Sequence, residues 1–279
     1  MPVKKNPQMP LGIIAGMGDL PIAIALEAKR MGHKVVAIAM KPPADESLKP
    51  VADEFHIIKL GRFGALLSLL KKLSIKNIVM AGKIPKELIY KDKKSIIPDL
   101  KTAKLLFSLK DRADDTIMLA FVSEFEKNGI MVHKTTEFTG SLMVPEGVLT
   151  KKKPSKDALN DIKFGWDIAK NMGKLDIGQS VVIKDKAVMA IEAIEGTDEA
   201  IKRGGILASE NAVVIKVSKP GQDMRFDVPV VGISTLNSMK EVSATTLAVE
   251  ADKCIIVDKE NFINNADKKG IAVIGVRND

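Results

Sequence analysis

The chain has 279 residues, 46% of them hydrophobic and 28% charged. It can therefore bury a substantial core, which excludes disorder as its main state. It has no uncharged apolar run long enough for a transmembrane helix, and a single cysteine, Cys254, which excludes internal disulfides and cysteine-rich metal sites. The net charge of +8 raises the question of nucleic acid. Aromatic residues make up only 4% of the chain, so base-stacking platforms are scarce. The charge is also uneven. Residues 1–134 hold 23 Lys/Arg against 14 Asp/Glu, a net of +9, and residues 135–279 hold 20 against 21, a net of −1. The basic half suits phosphates or an anionic membrane surface, although a solvated lysine-rich surface accounts for the same letters. The reading excludes a nucleic-acid partner.

The start, MPVKKNPQMP, reads as neither a signal peptide nor an anchor. Strand and helix signals then alternate. Leu11–Ala15 is an apolar strand, and residues 21–31 have helical spacing with Pro21 in the first turn and Gly32 at the stop. Residues 35–40 and 55–60 are strands, residues 62–73 an amphipathic helix, and Asn77–Ala81 a strand followed by the loop 82–86. The lysine-rich stretch 90–95 reads as a loop, residues 98–109 and 115–128 as helices, and residues 130–133 as a strand. Alternating βα units predict a mostly parallel, Rossmann-like sheet.

Beyond residue 134 the pattern changes. Residues 155–171 are a helix, and strands 179–183 and 187–191 flank a tight turn at Asp185-Lys186. A short helix at 198–203 stops before Gly204-Gly205, strands follow at 212–217 and 228–231, and a helix at 235–243. Strand 254–257, helix 261–269 and strand 271–274 close the chain. The expected fold class is α/β, with an N-terminal domain at 1–134, a mixed α/β domain at 135–279, and the ligand site at their interface.

Three stretches carry candidate chemistry. Gly16-Met17-Gly18-Asp19-Leu20-Pro21 places glycines between a strand and a helix, where backbone N–H groups can approach a phosphate. A tight strand–helix turn explains the same glycines. Pro21 replaces the third glycine of the dinucleotide fingerprint, and Lys41 stands where the ribose-binding acid is expected, which disfavours an NAD oxidoreductase. Lys83 follows the fourth strand at the same sheet edge and can reach a phosphate there. The run Asp111-Arg112-Ala113-Asp114-Asp115 opens a helix, where carboxylates complement the dipole. It is denser in charge than capping requires.

Glu192, Glu195, Thr197 and Asp198 gather near a strand end, an arrangement of oxygen ligands that suits Mg²⁺. In the stretch from Lys216 to Asp227, Lys219 and Arg225 can neutralise phosphoryl oxygens, and Asp223 and Asp227 can hold a metal or orient water. A salt-bridged surface loop is the alternative. HExxH and GxSxG do not occur, and Cys254 lies in an apolar strand as a small hydrophobe.

The combination of LGIIAGMGDLP, DRADD, DIGQSVVI, AIEAIEGTDEAIKRGG and KVSKPGQDMRFDVPVVG, with the closing LAVEADKCIIVDKENFINNADKKGIAVIG, resembles the LpxI family of UDP-2,3-diacylglucosamine pyrophosphatases. The resemblance runs from about Leu11 to Gly275. It implies a UDP-binding first domain and a second domain that binds lipid and performs hydrolysis. It implies cleavage of UDP-2,3-diacylglucosamine to lipid X and UMP in lipid A biosynthesis, by metal-assisted attack of water at the α-phosphorus. The implied metal is Mg²⁺, with Mn²⁺ as the alternative.

Carried over by motif, the catalytic residues are Asp223, Asp227, Arg225 and Lys219, and the metal ligands are Asp198, Glu195, Glu192 and Asp223. Substrate binding falls to Gly16, Gly18, Lys83, Gln222, Thr197, Asp111, Asp114 and Asp115. The resemblance implies a cytoplasmic protein in peripheral contact with the inner membrane and leaves a homodimer open. A non-catalytic nucleotide-sugar binding module is the competing reading.

Overall fold

A computed structural model of the chain describes residues 10–42, 44, 46–84, 96–111 and 114–277, with the side chain of Asp114 outside the description. The stretch read as a lysine-rich loop, 90–95, lies outside the described residues, as do Arg112 and Ala113. The chain divides into two compact units. The first runs to Thr139 and includes Met224–Phe226; the second comprises Gly140–Asp223 and the residues from Asp227 onward.

In the first unit, β1 (Leu11–Ala15), β2 (Val35–Lys41), β3 (Glu54–Lys59), β4 (Asn77–Ala81) and β5 (Met131–His133) form a parallel sheet in the order β3-β2-β1-β4-β5. The helices are α1 (Leu20–Arg30), α2 (Phe63–Lys72), α3 (Leu100–Phe107) and α4 (Asp114–Lys127). Strands β1, β2 and β4 are almost wholly buried apolar runs, as a sheet covered on both faces requires. Leu66 and Leu70 of α2 and Val122 and Phe125 of α4 pack with Ile14, Ile38 and Ile78 in one core. Phe63 meets Phe121 and Phe125 edge-on, with both ring centroids at 4.9 Å. Strand order reverses between β1 and β4, so the loops leaving those two strands flank the topological switch point, where open α/β sheets bind ligands.

The second unit contains β6 (Gly147–Val148), β7 (Ser180–Lys184), β8 (Ala187–Ile191), β9 (Val213–Lys216), β11 (Thr246–Glu250) and β13 (Ala272–Val276), in the order β6-β13-β11-β9-β7-β8. The trio β9, β11 and β13 is parallel, and β6, β7 and β8 join antiparallel. A short pair, β10 (Val230–Val231) with β12 (Ile255–Ile256), stands apart. Its helices are α5 (Lys156–Lys174), α6 (Thr197–Ala208), α7 (Ile233–Glu241) and α8 (Lys259–Lys269). Alternation along β7 and β9 sends Val181, Ile183, Val213 and Ile215 toward Ile162 and Trp166 of α5. It sends Val182 and Val214 toward Ile201, Leu236 and Phe262 of the other three helices. The predicted tight turn forms at Asp185 and Lys186, both with positive φ. The buried Asp161 carboxylate accepts from their N–H groups at 3.0 and 2.7 Å.

Two expectations need correction here. The helix predicted to stop before Gly204-Gly205 runs through both, as α6. A Cβ on Gly204 would lie 2.6 Å from Val182 Cβ, and one on Gly205 2.1 Å from Val242 Cγ2, so these glycines serve close packing rather than termination. The sequence reading also has no strand at Thr246–Glu250, yet β11 is a central strand with all five residues buried.

Candidate functional site

In the first unit, the loops after β1 and β4 are joined. Met17 N–H donates to the Lys83 carbonyl at 3.0 Å and Lys83 N–H to the Met17 carbonyl at 2.9 Å, while Gly16 N–H donates to Ala81 O at 2.8 Å. A Cβ on Gly16 would sit 2.6 Å from Lys83 O, and one on Gly82 2.7 Å from Met17 O. The expectation that Gly16 offers its N–H to a phosphate is therefore corrected: its N–H is already bonded, and the missing side chain makes room for the neighbouring loop. Gly18 differs, because its φ is +100° and the space around a Cβ there is open. Of the two glycines, Gly18 is the one at which backbone can approach a ligand, just ahead of the α1 N-terminus. The Lys83 side chain is exposed at this edge. Asp111 and Asp115 are also exposed, and Asp114 opens α4.

In the second unit, polar side chains gather where β9 and β11 end. Lys216, the last residue of β9, is only 5% exposed. Its Nζ donates to Thr197 Oγ1 at 2.7 Å, and Thr197 Oγ1 donates to Glu192 Oε1 at 2.8 Å. Gln179 N–H also reaches Glu192 Oε2, at 3.3 Å. Burial alone would raise the pKa of Glu192. The Lys216 charge, helped by these hydrogen bonds, outweighs it and holds the carboxyl below its ordinary range. Thr197, expected as a substrate contact, is thus a buried link between a cation and an anion.

A second buried centre lies beside it. Glu250, ending β11, is 4% exposed and accepts both of its oxygens' bonds from Lys170 Nζ, at 3.0 and 2.9 Å. Ser218 N–H and Lys253 Nζ also donate to it, at 2.8 and 2.9 Å. Burial again opposes ionisation, and these donors again prevail, lowering the pKa. Lys170 Nζ also donates to Ser218 O at 2.8 Å, which fixes the start of the following loop.

That loop carries the expected catalytic residues. Gln222 Oε1 accepts from Ser218 Oγ at 2.7 Å and from Lys219 N–H at 2.8 Å, and Gln222 Nε2 donates to Gln179 Oε1 at 3.3 Å. Lys219 Nζ is 2.6 Å from Asp176 Oδ1 and 3.5 Å from Asp227 Oδ2. Gln179 Nε2 reaches Asp227 Oδ1 at 3.5 Å, and Asp227 N–H donates to Asp223 O at 3.0 Å. Lys219, Gln222, Asp223 and Asp227 therefore share one tethered loop at the carboxyl edge of the parallel strands. Gln179 bridges it to the Glu192 centre. Sequence reasoning did not single out Gln179, Asp176, Lys170 or Glu250. Glu250 had one visible signal, an acid closing an apolar run.

Arg225 does not join this group. Residues Met224–Phe226 belong to the first unit, where Thr135 N–H donates to Met224 O at 2.8 Å and Phe226 packs on the apolar core. Arg225 Nη1 is 3.1 Å from Glu126 Oε1. The expected metal quartet does not converge either. Glu195 pairs with Arg203 at 2.6 Å, Glu192 is committed to Thr197, and Asp198 lies in the first turn of α6. Among the described residues, no three His, Cys, Asp or Glu side chains form a group able to hold a metal ion. Cys254 is buried, with its thiol pKa pushed up to about 12 by desolvation, which agrees with its reading as a small hydrophobe.

The fold and these two sites define an α/β protein of two units, one with a glycine turn at a Rossmann-like switch point and the other with a charged loop at a parallel strand edge. The family model described as the LpxI N-terminal domain matches residues 10–142, and that of the LpxI C-terminal domain matches residues 145–274. The chain belongs to the LpxI family. It is 31% identical to the UDP-2,3-diacylglucosamine pyrophosphatase LpxI of Caulobacter vibrioides, over 95% of this chain and 97% of that protein.

Solved structures similar to parts of the chain include a UDP-glucose-4-epimerase from Stenotrophomonas maltophila, at 14% identity and a TM-score of 0.30, covering 44% of this chain and 35% of that one. They also include an L-threonine dehydrogenase from Cupriavidus necator, at 13% identity and a TM-score of 0.28, covering 43% and 34%.

Proposed function

We propose that this protein hydrolyses the pyrophosphate of UDP-2,3-diacylglucosamine, releasing lipid X and UMP, as a step of lipid A biosynthesis. The observation that carries the reading is the loop from Lys219 to Asp227, tethered at a parallel strand edge in a chain that matches the family from end to end. In this reading Asp223 is the general base. The water oxygen forms the new P–O bond, the bridging oxygen departs with the other phosphate, and the water proton passes to the Asp223 carboxylate. The Lys219 ammonium exchanges Asp176 for a phosphoryl oxygen and offsets its charge. Gln222 holds the Lys219 backbone in place, and Gly18 receives the nucleotide phosphate at the first sheet. The protein works at the cytoplasmic face of the inner membrane, in peripheral contact. No helix among the described residues is long and apolar enough to cross a membrane.

Because the described carboxylates form no metal cage, no step is assigned to a cation held by the protein. The divalent cation of this reading arrives on the substrate's pyrophosphate.

Turnover of UDP-2,3-diacylglucosamine, followed by release of UMP, tests the reaction. Asp223→Ala is expected to lower kcat about 10²- to 10⁴-fold with a much smaller change in KM. Unchanged kcat removes Asp223 as the base, and a wild-type protein that binds UDP without turnover removes the reaction. Heavy-oxygen water tests the expected attack at the α-phosphorus: label in UMP supports it, and label in lipid X moves the attack to the β-phosphorus.

A further inference from the structure

Helix α3 and the residues just before it expose an unusual amount of apolar surface. Leu100 is 91% exposed, Phe107 85% and Ile97 61%. Leu100 and Phe107 stand seven residues apart, two helical turns along one face. Lys104 lies between them on that face and Lys110 lies just beyond it. Both lysines are exposed and have no ion-pair partner among the described residues. The opposite face is fixed inward. The Thr102 hydroxyl donates to Gly61 O at 2.6 Å and accepts from Phe63 N–H at 3.0 Å. Asp99 caps both helices, accepting from Gly64 N–H of α2 at 2.7 Å and Thr102 N–H of α3 at 2.9 Å. The helix therefore cannot roll to hide Leu100 and Phe107 without breaking these bonds.

We infer that this face of α3 docks on a bilayer surface rich in anionic headgroups, with Leu100 and Phe107 inserted at the headgroup boundary and Lys104 and Lys110 against the phosphates. Charge complementarity selects this occupant. Apolar side chains interleaved with lysines, with no carboxylate on the outward face, match an anionic lipid surface. A symmetric contact with a second copy would instead set the lysines of one chain near those of the other.

The position also fits. Asp99 N–H donates to Gly61 O at 2.9 Å, so α3 starts beside the loop that leaves the carboxyl end of β3. That is the sheet edge of Gly16, Gly18 and Lys83. Docking there brings the nucleotide end of the site to the surface that holds a diacylated substrate. In purpose this inference rests on the proposed lipid substrate, but it is tested without that substrate.

Co-sedimentation with phosphatidylglycerol–phosphatidylcholine vesicles is the experiment, using the full chain. The wild type is expected to bind these vesicles, to bind pure phosphatidylcholine weakly, and to be released by salt. The double variant Leu100→Glu/Phe107→Glu is expected to lose at least tenfold in partitioning, and Lys104→Glu about fivefold, the equivalent of about 1 kcal/mol for a lysine at an anionic surface. Both variants should keep the wild-type melting temperature.

Equal vesicle binding by the double variant overturns the inference. So does a wild-type dimer that the double variant dissociates while vesicle binding stays unchanged, since that outcome makes the face a contact between copies. Hydrolysis in detergent separates the two proposals. If the double variant turns over detergent-dispersed substrate normally but fails on vesicles, docking is supported. If the wild type fails in detergent as well, the proposed reaction falls while the vesicle result stands.

Discussion

Lys216 is a buried ammonium whose charge reaches Glu192 through the Thr197 hydroxyl. Removing one member of such a set leaves the other charge in a poor solvent, which costs more than the set contributed as a whole. Lys216→Met is therefore expected to destabilise the protein by about 2–4 kcal/mol near neutral pH, read by urea unfolding. The pH dependence follows from the direction of the Glu192 shift. Its folded pKa is depressed, so its contribution is fully present above the ordinary Glu value and is lost as pH falls through the folded pKa. In Lys216→Met the depression is gone and burial remains, so the carboxylate is itself a cost at neutral pH that protonation relieves. The gap between variant and wild type should narrow toward about pH 4. A gap that is constant with pH would show that Lys216 acts through packing alone. Substituting Glu192→Gln in the Lys216→Met background should recover part of the loss.

At the scale of elements, what the sequence made legible depended on whether a rule of local geometry applied. Strands β1, β4 and β8 lie where their apolar runs predict, because a run bounded by turn residues has few other placements. Strand β11 was invisible for the opposite reason. It is buried from Thr246 to Glu250, so it shows no alternation, and its closing acid reads as the start of a loop until Lys170 is seen to neutralise it.

The glycines of α6 mislead in the same way. Gly-Gly is a stop signal by propensity, and only the distance to Val182 shows that the helix continues past it. This gives a prediction of sign. In an ordinary helix interior Gly→Ala stabilises by up to about 1 kcal/mol. At Gly204 the new methyl would meet Val182 Cβ at 2.6 Å and Ala190 Cβ at 2.9 Å, atoms held by the sheet rather than the free ends of side chains. Overpacking wins, and Gly204→Ala should lower stability by about 1–2 kcal/mol, measured by thermal or urea unfolding. A stabilised variant would mean that α6 can move off the sheet at little cost.

For the whole molecule, the distribution of charge was legible from sequence and the pairing was not. The letters between Glu192 and Asp227 look like a metal site because five carboxylates fall within a short span. In the fold, Glu195 goes to Arg203, Glu192 to Thr197 and the Lys216 charge, and Asp227 to Lys219 and Gln179. Each acid has found a basic or hydrogen-bonding partner that lies far along the chain or across a strand, which spacing alone does not reveal.

This arrangement separates two ways in which a divalent cation could matter. A preformed protein site that binds Mg²⁺ in the folded state alone would raise the melting temperature with cation concentration, by mass action. The described carboxylates offer no such group, so millimolar Mg²⁺ without substrate should leave the melting temperature unchanged. Chelation should still abolish UMP release if the cation enters on the substrate's pyrophosphate, and Mg²⁺ should restore it. A melting temperature that climbs with Mg²⁺ in the absence of substrate would place a resident site in the protein and overturn the assignment of the cation to the substrate.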